Sequence, residues 1–100
     1  MSRIEAVAAA LKSVVQIIVT FPKHVEISTQ TRGDLSGLEV TIFEINVHES
    51  DRGRLIGKAG ANMKALRLLT NSAAYLVGTR YRLSCKDFQG ESRIGSRGDL

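Results

Sequence analysis

The chain has 100 residues, 43% of them apolar, 24% charged and 5% aromatic, with a formal net charge of +4. That length holds one domain with a modest core; the composition excludes a wholly disordered protein, and no apolar run approaches the roughly 20 residues that span a bilayer. Met1-Ser2-Arg3-Ile4-Glu5 lacks the basic start and apolar stretch of a secretory signal. The single cysteine, Cys85, has no partner for an internal disulfide, so a reducing, cytoplasmic setting is expected.

Residues 3 to 19 predict an amphipathic helix: Ile4, Val7, Ala8, Leu11, Val14, Val15 and Ile18 recur at three- and four-residue spacing. Ser2 is its N-cap and Pro22 ends it. Val25, Ile27 and Thr29 alternate with polar residues in a first, half-buried strand, and residues 31 to 37 read as a turn. A second strand runs from about Leu38 to Val47, but its alternation slips. Leu38, Val40 and Ile42 share one phase, while Phe43, Ile45 and Val47 take the other. A bulge near Ile42 and Phe43 is the preferred explanation; a second sheet face partly covered, for example by another subunit, is the alternative.

A very short helix is expected from Ser50 to Ile56, then a loop, then a helix from Gly60 to about Val77. Its buried stripe would be Met63, Leu66, Leu69, Ala73 and Leu76, and Gly78 would end it. A third strand follows, with Tyr81, Leu83 and Cys85 inward and Arg80, Arg82, Ser84 and Lys86 outward. Residues 1 to 86 thus read as one domain, and residues 87 to 100 as a polar, disordered tail. The whole is α+β, in the order α-β-β-α-α-β.

The charge is concentrated. Residues 51 to 68 hold five basic groups (Arg52, Arg54, Lys58, Lys64, Arg67) and one acid, Asp51, a net of +4; the other 82 residues hold nine basic and nine acidic groups and are neutral. A neutral body with one basic segment is the footprint of a polyanion binder. Within it lies Gly57-Lys58-Ala59-Gly60. Two glycines three apart let the chain turn sharply and let a sugar-phosphate backbone approach the main chain. The following helix would direct its unpaired N–H groups toward the loop, and Lys58 adds a full charge at its tip. Such a loop positions backbone without reading sequence. Leu55, Ile56 and Met63 would floor an adjoining groove, with the second strand as its wall. A nucleotide-hydrolysing P-loop is excluded, because three residues, not four, separate Gly53 from Gly57-Lys58, and Ala59 stands where Ser or Thr would hold magnesium.

Residues 51 to 67 resemble the signature of KH domains, and more closely that of small bacterial single-domain KH proteins. Asp51, Gly53, Ile56, Gly57, Lys58, Gly60, Lys64, Ala65, Leu66 and Arg67 meet the pattern, and the weaker likeness extends over residues 3 to 86. The resemblance implies a type II KH fold, with a three-stranded mixed sheet and helices packed on one face. It also implies binding of single-stranded RNA, about four nucleotides at the glycine loop; taken with the basic segment, the expected RNA-binding residues are Arg54, Ile56, Gly57, Lys58, Ala59, Gly60, Lys64 and Arg67. A homodimer, or a heterodimer with a larger KH protein, in post-transcriptional control of bacterial envelope growth or division is implied too. Ala61 departs from the pattern, since the family often carries a basic residue there. The first strand and hairpin also look longer than usual.

No catalytic constellation, cofactor or metal site is expected. His24 and His48 are far apart in sequence and read as surface residues, Cys85 as structural, Tyr81 as buried and Tyr75 as packing at a helix edge. The Arg-Gly-Asp tripeptides at 32–34 and 97–99 are coincidences of turn sequence, and Arg93 and Arg97 belong to a solvated tail. With five aromatics and no Trp, little base stacking and weak, salt-sensitive RNA binding are expected. The alternative function is a KH-fold interaction or dimerisation module with little RNA binding of its own, suggested by Leu66, Leu68 and Leu69.

Overall fold

A computed structural model describes residues 2–33, 35–77 and 79–85. Ser2 begins α1 (Arg3–Ile18) with a capping box. Its hydroxyl accepts from the Glu5 amide at 3.1 Å, and the Glu5 carboxylate accepts from the Ser2 amide at 2.9 Å. Leu11 and Val15 are the buried centre of this helix, with Ile4, Val7 and Ala8 packed around them. A single 3₁₀ turn at Pro22–His24 leads into β1 (Glu26–Gly33). The strand extends three residues past Gln30, into the segment expected to be a turn.

β1 pairs antiparallel with β2 (Glu39–Asn46), and β2 pairs parallel with β3 (Arg80–Cys85), so β2 is central in the order β1-β2-β3. A parallel pair requires a crossover. Here it consists of α2 (Arg52–Ile56), the glycine loop and α3 (Ala61–Val77). The element order and the mixed sheet with helices on one face are as expected. Gly78 and residues 86–100 lie outside the described residues, and with them the helix-ending glycine and the polar tail.

The expected bulge is absent. Pairing runs unbroken from Glu26↔Asn46 to Gly33↔Glu39. Thr41, Phe43 and Ile45 face the helices and are buried, so Val40 and Ile42 face the other way. The two-phase pattern arises because β2 carries apolar side chains on both faces. Val40 is only 5% exposed: Arg32 and Arg80 sit beside it in register, and arginine stems cover apolar surface while keeping their charge in water.

Phe43 is fully buried, edge-on to Tyr81 with ring centroids 5.2 Å apart, in one core cluster with Val15, Val25, Ile45, Leu55, Met63, Leu83 and Cys85. On α3 the buried stripe is Met63, Leu66, Thr70 and Ala74. Leu69 and Leu76 are exposed, as is Tyr75. Two apolar stripes compete on this helix. The one that wins includes Thr70 because its hydroxyl donates to the Leu66 carbonyl at 2.7 Å and needs no other partner.

Candidate nucleic-acid interface

Asp51 precedes α2 and is 1% exposed. Its two carboxylate oxygens accept from the backbone amides of Thr20 (2.9 Å) and Phe21 (3.0 Å), where the chain leaves α1. Burial pushes the carboxyl up. The Thr20 and Phe21 amides, the Thr20 hydroxyl and the Arg54 guanidinium outweigh that and hold it below the ordinary value of 3.8. The carboxylate therefore ties the end of α1 to the start of α2, and fixes where the glycine loop stands on the body. Arg54 reaches Asp51 only at 3.9 Å and stays 61% exposed.

Gly57 ends α2, its amide donating to the Gly53 carbonyl at 2.8 Å. With φ +81° and ψ 169° it occupies a region essentially reserved for glycine. A Cβ there would lie 2.8 Å from the Asn62 backbone nitrogen and 2.9 Å from its Cγ. Asn62 explains the tightness: its side-chain amide donates to the Arg54 carbonyl at 2.8 Å, clipping α3 to the last turn of α2. Lys58–Gly60 then form one 3₁₀ turn, with Ala59 at φ 55° and Gly60 at φ 77°.

Two of the four loop amides expected to face phosphate are used internally: that of Gly57, as above, and that of Gly60, which donates to the Gly57 carbonyl at 3.0 Å. The amides of Lys58 and Ala59 come first in the 3₁₀ turn and have no acceptor within it. Both residues are exposed. They present two N–H groups and an ammonium at the N-terminal end of the 17-residue α3. Lys64 and Arg67 are exposed and three residues apart on α3, so they share one side of it. Ile56 is half-buried and packs against the core from beside the loop.

The groove expected to be floored by Leu55, Ile56 and Met63 takes a different form. Met63 and Leu55 are fully buried. A depression of about 110 Å³ is lined by Leu55 and Arg52, the Ile45–Val47 stretch at the end of β2, and Cys85. Leu55 and the second strand therefore do meet, but Met63 belongs to the core. Asp51 and Asn62 escaped the sequence reading as builders of the site. A carboxylate in a segment otherwise wholly basic, and an amide two residues after the second glycine, were the available signals. His24 and His48 are brought together, their rings stacked 5.0 Å apart. Among the described residues no group of three or more His, Cys, Asp or Glu side chains could hold a metal ion, and no helix is long and apolar enough to cross a membrane.

The sequence model of the KhpA/KhpB KH domain matches residues 8–85. Among curated relatives, the RNA-binding protein KhpA of Leifsonia xyli is 35% identical over 82 residues, covering 80% of this chain and 96% of that protein. The RNA-binding protein KhpA of Treponema pallidum is 39% identical over 59 residues, covering 59% and 71% respectively. The matched stretch contains every element from the body of α1 to the end of β3, and this is not an enzyme family. With its αββααβ order, its glycine loop between α2 and α3 and a match over most of its length, this chain belongs to the KhpA/KhpB KH-domain family.

Proposed function

We propose that this chain binds single-stranded RNA in the bacterial cytoplasm, holding the sugar-phosphate backbone at Gly57-Lys58-Ala59-Gly60 in post-transcriptional regulation. The observation that carries the reading is the pair of amides at Lys58 and Ala59 that have no acceptor within the 3₁₀ turn, on two exposed residues at the start of α3. A phosphate in that turn accepts two backbone hydrogen bonds and meets a full charge, while Arg54, Lys64 and Arg67 supply longer-range attraction. Ile56 offers apolar surface beside the loop. The names of the two relatives support RNA as the ligand over a pure interaction module.

Pairing complements this reading. Leu68 and Leu69 are 68% and 63% exposed, and an apolar groove between α1 and α3 is lined by Val7, Leu11, Val14, Leu69 and Ala73. A second copy, or a larger KH protein, covering that face would bring two weak RNA sites together and raise their joint affinity.

The test is titration of a short single-stranded RNA at about 50 and 200 mM salt with wild type and with Lys58→Asp, Ala59→Asp. If the four cations Arg54, Lys58, Lys64 and Arg67 all neutralise phosphates, the slope of log K against log salt is about −2.8, and the wild type loses about 50-fold across that range. The double variant places two carboxylates against the phosphate and is expected to bind at least tenfold more weakly. Both positions are exposed, and Asp tolerates the left-handed conformation of Ala59 better than most residues do. A folded double variant that binds as well as wild type overturns the loop mechanism.

A further inference from the structure

With so few aromatic residues, the sequence predicts little base stacking. The fold nevertheless gathers three rings from two distant parts of the sequence, Phe21 and His24 from one and His48 from the other. Phe21 and His48 have centroids 4.5 Å apart, His24 and His48 stack at 5.0 Å with planes only 16° apart, and Phe21 and His24 stand at 5.9 Å. The cluster is at the surface: Phe21 is 43% exposed, His24 is exposed and His48 is half-buried. Phe43 and Tyr81, by contrast, are in the core, and Tyr75 is at the far end of α3 from the loop.

The cluster is anchored beside Asp51, at the start of the helix that ends in the glycine loop. The Phe21 amide donates to Asp51 at 3.0 Å. The His48 ring caps the turn at Glu49–Asp51, its Nδ1 accepting from the Ser50 amide at 3.1 Å and lying 2.8 Å from the Ser50 hydroxyl. That turn runs directly into α2, which ends at Gly57. The rings therefore lie toward one end of α2 and the phosphate-binding turn at the other, with the Glu49–Asp51 turn and a five-residue helix, itself about 8 Å long, between His48 and Gly57. Lys23, next to His24 in the chain, and Arg54 on α2 are exposed cations at this corner; Glu49 is an exposed acid there.

We propose that Phe21, His24 and His48 form a stacking site for a nucleobase of the same RNA strand whose backbone is held at Gly57-Lys58-Ala59-Gly60, an inference that rests on the RNA reading above. The bonds to Ser50 fix the His48 ring, and the near-parallel imidazoles present a flat face without further ordering. Stacking tolerates any base because every base has a π-face, so the site adds affinity without specificity. Two imidazoles with no third ligand among the described residues favour this use over a metal site.

The test compares wild type with Phe21→Leu, His24→Ala, which leaves the His48 cap in place. The ligands are a labelled short single-stranded RNA and an abasic ribose-phosphate chain of the same length. The variant is expected to bind the RNA about fivefold or more weakly, to bind the abasic chain as wild type does, and to keep the same salt slope. In wild type, the His24 ring protons are expected to shift upfield on adding RNA, a readout that does not depend on the variant's folding. Equal RNA affinity in a folded variant, an equal loss on the abasic chain, or unmoved His24 ring protons at saturation would each overturn the stacking site. If the Lys58→Asp, Ala59→Asp variant still loses binding in that case, the loop reading survives alone. If wild type binds neither ligand, both fail.

Discussion

Replacing Gly57 by alanine tests the geometry of the loop without touching its charge. Two costs add. The backbone at φ +81°, ψ 169° costs a side-chain-bearing residue about 1–3 kcal/mol. The new Cβ would stand 2.8 Å from the Asn62 backbone nitrogen, 2.9 Å from Cγ and 3.0 Å from Nδ2. A side chain can swing away, but the first of these atoms is main chain at the start of α3 and cannot. Relief requires α3 to shift or the Asn62–Arg54 clip to open, which adds about 1–3 kcal/mol of overpacking. The sum, about 2–6 kcal/mol, is a large share of the roughly 5–15 kcal/mol that holds a small domain. Urea unfolding followed by circular dichroism should show the midpoint falling with little change in slope. Adding Asn62→Ala removes two of the three close contacts and leaves the backbone one, so it should restore only part of the loss. A Gly57→Ala protein within about 0.5 kcal/mol of wild type, the ordinary range of a surface substitution, would refute the close approach of α2 and α3 on which the loop depends.

Other expectations follow from the same contacts. Asp51 has a folded value below its ordinary one, so its stabilisation is complete above about pH 4 and is lost as pH falls through the lowered value. Asp51→Asn keeps one acceptor oxygen and sets an NH₂ donor against the other of the Thr20 and Phe21 N–H groups. It should lower the urea midpoint at neutral pH and flatten the acid limb of stability against pH; an unchanged acid limb would mean that the carboxylate is not what ties α1 to α2. Leu68→Glu with Leu69→Glu alters exposed side chains only, so the unfolding midpoint should stay close to wild type. Sedimentation should then show self-association falling by tenfold or more; unchanged association would move the contact to another face.

The helices and strands of the chain were legible where one periodicity dominated. In α1, Ile4, Val7, Leu11 and Val15 mark a single face, and Ser2 with Glu5 marks its start. In β3, Tyr81, Leu83 and Cys85 alternate cleanly and are buried as expected. Ambiguity entered where apolar residues outnumber the positions of one face. α3 carries Leu66, Leu68, Leu69 and Leu76, and local spacing cannot tell which of them meets the sheet. The deciding residue, Thr70, is polar and satisfies itself within the helix. β2 presents the same difficulty, with Val40 and Ile42 on one face and Phe43 and Ile45 on the other.

At the site, the turn itself could be read because its glycines and lysine are contiguous. What holds it in place could not. Asp51 meets amides 30 and 31 residues earlier in the chain, and Phe21 and His24 meet His48 only once β1 and β2 have folded back on each other. Such contacts leave no periodic trace.

The central claim is that the amides of Lys58 and Ala59 receive an RNA phosphate. Titrating the ¹⁵N-labelled protein with a short single-stranded RNA, and following every backbone amide by NMR, tests it directly. The account predicts that Lys58 and Ala59 move furthest, downfield in the proton dimension, with smaller shifts along Arg54–Ile56 and the first turn of α3. The largest shifts on the outer face of the sheet around Ile42 and Arg82, with Lys58 and Ala59 unmoved at saturation, would contradict it.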